Sequence, residues 1–359
     1  MDFMALDIIK VFLPSTIAFL IGVAATPALT GYLYRNRMWK KKAGKVGLDG
    51  AATPIFNELH KGKEVGAPRM GGVVVWFSVF ATVGLLLLLD QVTGLSSFEK
   101  LNFLSRSQTW IPLATLLLGG VVGLLDDLME IRGNGDSTRG GMSLRKRLLI
   151  VSAIGLLCGA WFYLKLDVSS INLPFLGETE FGIFFILIFA LFALGIYSGG
   201  IIDGIDGLAG GVFAAMFSAY AGIAFYQSQI DLAAFCLTVV GAILAFLWFN
   251  IPPARFYMSE TGTMGLTLTL TVVAFMTDVL GSGRGIVALP MIALPLIATT
   301  GSVVIQMLSR KFRNGQKVFL VAPLHHHFEA LGWPAYKVTM RYWVVATVAA
   351  ILGFVIALS

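Results

Sequence analysis

The sequence predicts an all-α integral membrane protein, one polytopic domain of about ten transmembrane helices spanning residues 1–359. Three observations lead there. The chain is 57% hydrophobic and 13% charged, whereas soluble domains carry about 25% charged residues. Its apolar residues come in runs of about 20, the length at which a helix crosses the hydrocarbon core. Its basic residues collect after every second run, an asymmetry that membrane orientation produces.

The apolar runs lie at about 8–30, 71–94, 110–128, 148–165, 181–200, 208–226, 232–250, 264–280, 285–308 and 340–358. Gly and Thr dilute those at 208–226 and 264–280. The start, Met1-Asp2-Phe3, lacks the basic region of a cleaved signal peptide, so the first run is expected to stay as a span. Trp39, Trp110 and Trp248 fall near run ends, as aromatic-belt residues do. Cys158 and Cys236 sit inside apolar runs and read as packing residues, not as a disulfide or metal site.

All but five of the 26 Lys and Arg follow odd-numbered spans. They are Arg35, Arg37, Lys40, Lys41, Lys42, Lys45, Lys61, Lys63 and Arg69, then Arg132, Arg139, Arg145, Lys146 and Arg147. Arg255 follows span seven, and Arg310, Lys311, Arg313, Lys317, Lys337 and Arg341 follow span nine. By the positive-inside rule these loops are cytoplasmic and both termini face outward. Orientation thus accounts for the net charge of +6, and no nucleic-acid partner is expected. The longest polar stretches, about 35–69 and 129–147, lie on that face, and 132–141 is Gly-rich and reads as a flexible loop.

The same topology gathers four unusual polar groups on one side. Asp126-Asp127 closes the third span, where a buried carboxylate costs roughly 2.5–3.5 kcal/mol at the bilayer centre and less near the interface. Asp203-Gly204-Ile205-Asp206-Gly207 follows span five, Ser259-Glu260-Thr261 follows span seven, and His325-His326-His327 lies between spans nine and ten. Singly, each has an ordinary reading: a polar helix end, a pair of turns, a helix cap, a solvated loop run. Three consecutive histidines on a helix or strand do not converge on one ion. Together on one membrane face these groups suit phosphoryl transfer. Carboxylates take Mg²⁺, basic side chains such as Arg145, Lys146 and Arg147 hold phosphate oxygens, and a spare carboxylate accepts a proton. A transporter would instead place its acids near the midplane.

The motifs resemble the polyprenyl-phosphate N-acetylhexosamine-1-phosphate transferases, and most closely the phospho-N-acetylmuramoyl-pentapeptide-transferase branch. The residues that carry this are Ala322-Pro323-Leu324-His325-His326-His327-Phe328-Glu329, Pro68 with Met70-Gly71-Gly72, Asp126-Asp127, Asp203-Gly204-Ile205-Asp206-Gly207-Leu208-Ala209, and Phe246-Leu247-Trp248-Phe249-Asn250 with Pro253-Ala254. The resemblance spans nearly the whole chain. It implies a Mg²⁺-dependent transfer of phospho-N-acetylmuramoyl-pentapeptide from UDP to undecaprenyl phosphate, giving lipid I and UMP for peptidoglycan. It also implies a homodimer in the bacterial inner membrane. A transferase of the same fold using UDP-N-acetylglucosamine is the alternative.

The implied catalytic set is Asp126, Asp127, Asp203 and His325, with Asp126 as the usual candidate for the base. The implied metal ligands are Glu260 and Asp203. Asp206, Arg147, Asn250, Tyr257, His326 and His327 are implied substrate contacts, Tyr257 packing on the uracil and Arg147 lying near the phosphates. The chain departs from the family pattern at several positions. Glu260 stands for an Asp, Tyr197 and Gly200 for two Asn, and Arg69 for a Thr, while Glu64-Val65-Gly66-Ala67-Pro68 replaces Lys-Lys-Gly-Thr-Pro. These changes bear on the nucleotide contacts more than on the fold.

Overall fold

The computed structural model describes residues 3–40, 58, 66–105, 107–133, 141–173, 177–279 and 284–359. Lys41, Lys42, Lys45, Lys61, Lys63 and Arg139 of the basic loops, Glu64-Val65, and most of the Gly-rich stretch lie outside them. Among the described residues, nine helices are long and apolar enough to cross a membrane. They are α1 (Phe3–Arg35), α2 (Val73–Thr93), α4 (Trp110–Arg132), α5 (Leu144–Lys165), α6 (Phe184–Ser198, extended by a 3₁₀ turn at Gly199–Ile202), α7 (Leu208–Tyr226), α8 (Ile230–Asn250), α9 (Ser259–Val279) and α13 (Ala335–Leu358). Short helices α3 (Ser96–Leu101) and α12 (Leu324–Ala330) lie between spans.

The ninth apolar run is not one straight helix. It forms α10 (Gly285–Ile292) and α11 (Leu294–Phe312), bent by 61° at Ala293. Pro295 opens α11, and its missing N–H cannot continue the ladder of α10. Counting this pair as one span gives ten. The all-α expectation holds for the spans, and the described residues add one short hairpin between two of them. Between α5 and α6, β1 (Ser170–Leu173) and β2 (Gly177–Glu180) pair antiparallel, Ser170 opposite Glu180 and Leu173 opposite Gly177. Ile171 turns into the core while Glu178 and Glu180 stay in the open strand, so the hairpin is too short and polar to register as an apolar run.

Helix α9 is the axis of the bundle and is buried on nearly every side. Its threonines do not prevent this, because Thr263, Thr267, Thr271 and Thr277 each donate to a carbonyl one turn back. Helix α4 lies along it at glycine contacts: a Cβ on Gly119 would sit 2.7 Å from the Gly265 Cα. Small residues at such crossings let backbones approach closely where apolar burial offers no drive between helices in lipid. Toward the far end of α9, Phe275 meets Phe162, Phe185, Phe189 and Phe192, its ring centroid 4.4 Å from that of Phe189. The two ends of the bundle are tied separately. Lys10 pairs with Asp231 at 2.6 Å where α1 and α8 meet at one end, and the Tyr34 hydroxyl donates to the Arg255 carbonyl at the other.

Candidate active site

The Arg255 end carries the polar groups. Residues 68–72 run beside the entry to α9 as a short ladder. Tyr257 N donates to the Pro68 carbonyl at 2.9 Å, Gly71 N to that of Tyr257 at 2.8 Å and Gly72 N to that of Met258 at 3.2 Å. Only glycine fits at 72, where a Cβ would run into the Gly262 backbone. This ladder fixes the Arg69 backbone beside the acidic end of α4.

Successive residues on a helix point about 100° apart, and Asp126 and Asp127 accordingly face different elements. Asp127 turns to α9, where its Oδ2 accepts from both the backbone N and the hydroxyl of Thr261. Asp203 Oδ2 accepts from Ser259 N at 2.7 Å. The first-turn N–H groups of α9 are thus capped by carboxylates from two other elements, a favourable place for negative charge. Asp126 turns to α5: its Oδ1 accepts from Met142 N at 2.7 Å and lies 3.4 Å from Arg147 Nε. Arg147 also donates through Nη1 to Glu260 Oε1 at 2.6 Å, and the Tyr197 hydroxyl lies 3.4 Å from Glu260 Oε2. Arg147 therefore sits between two carboxylates, and Tyr197 reaches one of them.

A second guanidinium completes the arrangement. Arg69 Nη1 donates to Glu130 Oε1 at 2.8 Å, and its Nε lies 3.4 Å from Asp127 Oδ1. Lys40 Nζ is 3.3 Å from Glu130. Burial works against the charge on Arg69, but Glu130, then Asp127, Asp203 and Glu260, outweigh it and hold the guanidinium pKa above its ordinary value.

Ligand oxygens of Asp126, Asp127 and Glu130 all lie within 4.8 Å of one another. Two of these acids each keep a buried oxygen without a hydrogen-bond partner, Asp126 Oδ2 and Asp127 Oδ1. Buried carboxylate oxygens left open in this way suit a hard dication, so the residues fit Mg²⁺. Glu130 was not among the residues expected from sequence. Its signal was there, at four residues from Asp126 and three from Asp127 on one helix face.

A second group surrounds the Asp203–Gly207 turn. Asp206 Oδ2 accepts from Ala254 N, and Asn250 Oδ1 accepts from Gly207 N at 2.9 Å while its Nδ2 donates to the Phe256 carbonyl. From α13, Thr339 donates to the Asp206 carbonyl and Trp343 Nε1 to that of Gly207, both at 3.0 Å. Gly207 takes a φ of 75°, a left-handed conformation that glycine adopts without strain. His325 and His326 close over Gly204; a Cβ there would lie 2.8 Å from His326 Nε2 and collide with His325. His326 Nδ1 is 2.7 Å from Glu329 Oε2.

The solvated-loop reading of the histidines does not hold. They lie on α12, with His325 at 0% and His326 at 2% exposure. His327 leaves the pair, its Nδ1 accepting from Leu320 N. Asp126, Asp127, Arg147, Asp203 and Glu260 thus converge at the α9 entry. Asp206, Asn250, His325 and His326 converge on the adjoining turn. Tyr257 lies on the ladder between them.

The sequence profile of glycosyl transferase family 4 matches residues 109–278, the stretch that holds Asp126, Asp127, Asp203, Asp206, Asn250 and Glu260. The chain is similar to the phospho-N-acetylmuramoyl-pentapeptide-transferase of Chloroflexus aggregans, 33% identical over 89% of this chain and 84% of the relative. Its likeness to the enzyme of the same name from Listeria monocytogenes is 31% over 94% of this chain and 95% of the relative. That from Chloroflexus aurantiacus is 32% identical over 89% and 84%. Likeness of this extent, with the acids of the matched stretch drawn together around the start of one buried helix, identifies the chain as a member of the phospho-N-acetylmuramoyl-pentapeptide-transferase family of glycosyl-1-phosphate transferases.

Proposed function

We propose that the protein transfers phospho-N-acetylmuramoyl-pentapeptide from UDP to undecaprenyl phosphate, forming lipid I and UMP. The observation that carries the reading is the pair of adjacent carboxylates on α4, each with an unbonded buried oxygen and each beside a guanidinium. Asp127 and Glu130 would hold Mg²⁺, with Glu260 and Asp203 as the further ligands that the resemblance implies, which leaves Asp126 Oδ2 open for a proton. Bound there, the ion supplies charge neutralisation at the diphosphate.

The chain's own residues do the rest. Asp126 Oδ2 takes the proton of the lipid phosphate, whose oxygen then attacks the phosphorus that bears the sugar. The bond from that phosphorus to the bridging oxygen breaks, and UMP leaves with the electron pair. Arg147, fixed between Asp126 and Glu260, places a positive charge beside both and presents its remaining N–H groups to phosphate oxygens. His325 and His326, over the Asp203-Gly204 turn, are placed to donate to the diphosphate. Asp206 and Asn250 hold the turn in shape, and Tyr257 offers its ring to the uracil. Tyr197 takes a place at which the resemblance expects Asn, and it reaches Glu260 with its hydroxyl.

The distribution of basic residues supports a cytoplasmic site, with both termini outward, in a bacterial inner membrane. The resemblance supports a homodimer. UMP release by the purified protein in detergent, with undecaprenyl phosphate and Mg²⁺, tests the reading. UDP-N-acetylmuramoyl-pentapeptide should support release and UDP-N-acetylglucosamine should not. Release from the second donor alone would move the protein to the sister activity, and release from neither would refute the transferase reading.

A further inference from the structure

We propose that Arg69 is the resident counter-cation of the three-carboxylate cluster: it is displaced from Asp127 and Glu130 when a divalent cation enters, and then holds a phosphate oxygen of the sugar nucleotide. The proposal rests on the reading of the site as one that takes a dication and a diphosphate.

Three observations support it. The guanidinium stands where an incoming cation must go, spanning two of the three acids whose oxygens lie within 4.8 Å of one another. A +2 ion and a +1 guanidinium cannot share those oxygens without strong repulsion. Second, Arg69 is loosely held on the Asp127 side. Its Nε and the facing Asp127 Oδ1 are both buried, and neither has a hydrogen bond although they are 3.4 Å apart. Among the described residues, one firm bond, to Glu130, is what release must break. Third, the side chain is not sealed in by its surroundings. Its backbone is pinned, Arg69 N donating to the Met38 carbonyl beside the Pro68–Tyr257 ladder, while its side chain keeps 23% exposure. Asp203 and Glu260, on the nucleotide side of the proposed site, already act on its charge.

The test is Mn²⁺ binding to the full-length protein in detergent, read by the loss of free-ion electron paramagnetic resonance signal, with no donor or lipid present. Arg69→Gln should bind Mn²⁺ about tenfold more tightly than wild type, the order expected on removing one positive charge beside the ion. The same variant should raise the donor KM. Arg69→Lys keeps the charge but shortens its reach, and its Mn²⁺ affinity should fall between the two. It also carries the test if Arg69→Gln fails to fold. Mn²⁺ affinity equal to or weaker than wild type in the folded variants would overturn the proposal. Failure of the transferase reading would show separately, as absent UMP release by the wild-type protein.

Discussion

Asp126 and Asp127 share a helix end and divide the work because each has a different neighbour. Asp127 has one oxygen fully engaged by Thr261, which ties α4 to the start of α9. Asp126 is held through Oδ1 alone, leaving Oδ2 open toward the cluster. Asp126→Asn keeps an acceptor for Met142 N and removes the proton acceptor. It should lower turnover by at least about a hundredfold, the lower range for a general base, while thermal unfolding of the variant stays near wild type. Substantial residual turnover would remove Asp126 from that role. The position of the ion is tested by comparing Glu130→Gln with Glu260→Gln in Mg²⁺ titrations of activity. Loss of a carboxylate that holds the ion should raise the Mg²⁺ requirement by about tenfold or more. Because both oxygens of Glu260 are already engaged, by Arg147 and Tyr197, whereas Arg69 and Lys40 both meet Glu130 through Oε1, the larger effect is expected at Glu130. Sequence motifs pointed to Asp126, Asp127, Asp203, Glu260 and the histidines as unusual. They did not point to Glu130 or to the cation role of Arg69. Arg69 lies 61 residues from Glu130 along the chain, and nothing local in either stretch shows that they meet.

At the scale of elements, the α4–α9 crossing sets the geometry of the acids. Gly123 is where the two helices come closest to the chemistry, since a Cβ there would collide with the carbonyl of Glu260. Gly123→Ala should therefore destabilise the protein by about 1–3 kcal/mol, the usual range for overpacking, and should depress activity by shifting Glu260. Gly84→Ala on α2, where a Cβ meets nothing within 4 Å, is the control and should leave the unfolding temperature unchanged or slightly raised. Equal effects at the two positions would show that helix propensity, not contact, governs Gly123. The spans themselves were legible because a run of about 20 apolar residues has few other uses. The bend at Ala293 and the β1–β2 hairpin were not. A proline pair can kink a span or pass through it, and four-residue strands are too short to leave a period. The burial of His325 and His326 was hidden for a related reason: it depends on Gly204, which comes from another part of the chain.

The whole molecule is polarised from end to end. Phe275 and its aromatic neighbours fill the core toward the C-terminal end of α9, while Asp127 and Asp203 cap its N-terminal end. Thr339 and Trp343, early in α13, contact the Asp206–Gly207 turn, so α13 carries Ser359 to the opposite end of the bundle. In the same way Tyr34 marks the site end of α1 and Lys10 the other. One orientation in the membrane then decides the side of every loop, and the cytoplasmic placement of the site end is the proposal that the positive-inside rule supports. The chain suits a direct check, because its two cysteines, Cys158 and Cys236, are buried and should stay silent toward a bulky, membrane-impermeant maleimide. Ser359→Cys should label in intact spheroplasts, and Lys317→Cys, exposed beyond α11, only after the membrane is opened. The reverse pattern would place the carboxylates and both arginines outside, away from any cytoplasmic sugar nucleotide, and the proposed reaction would fail with the topology.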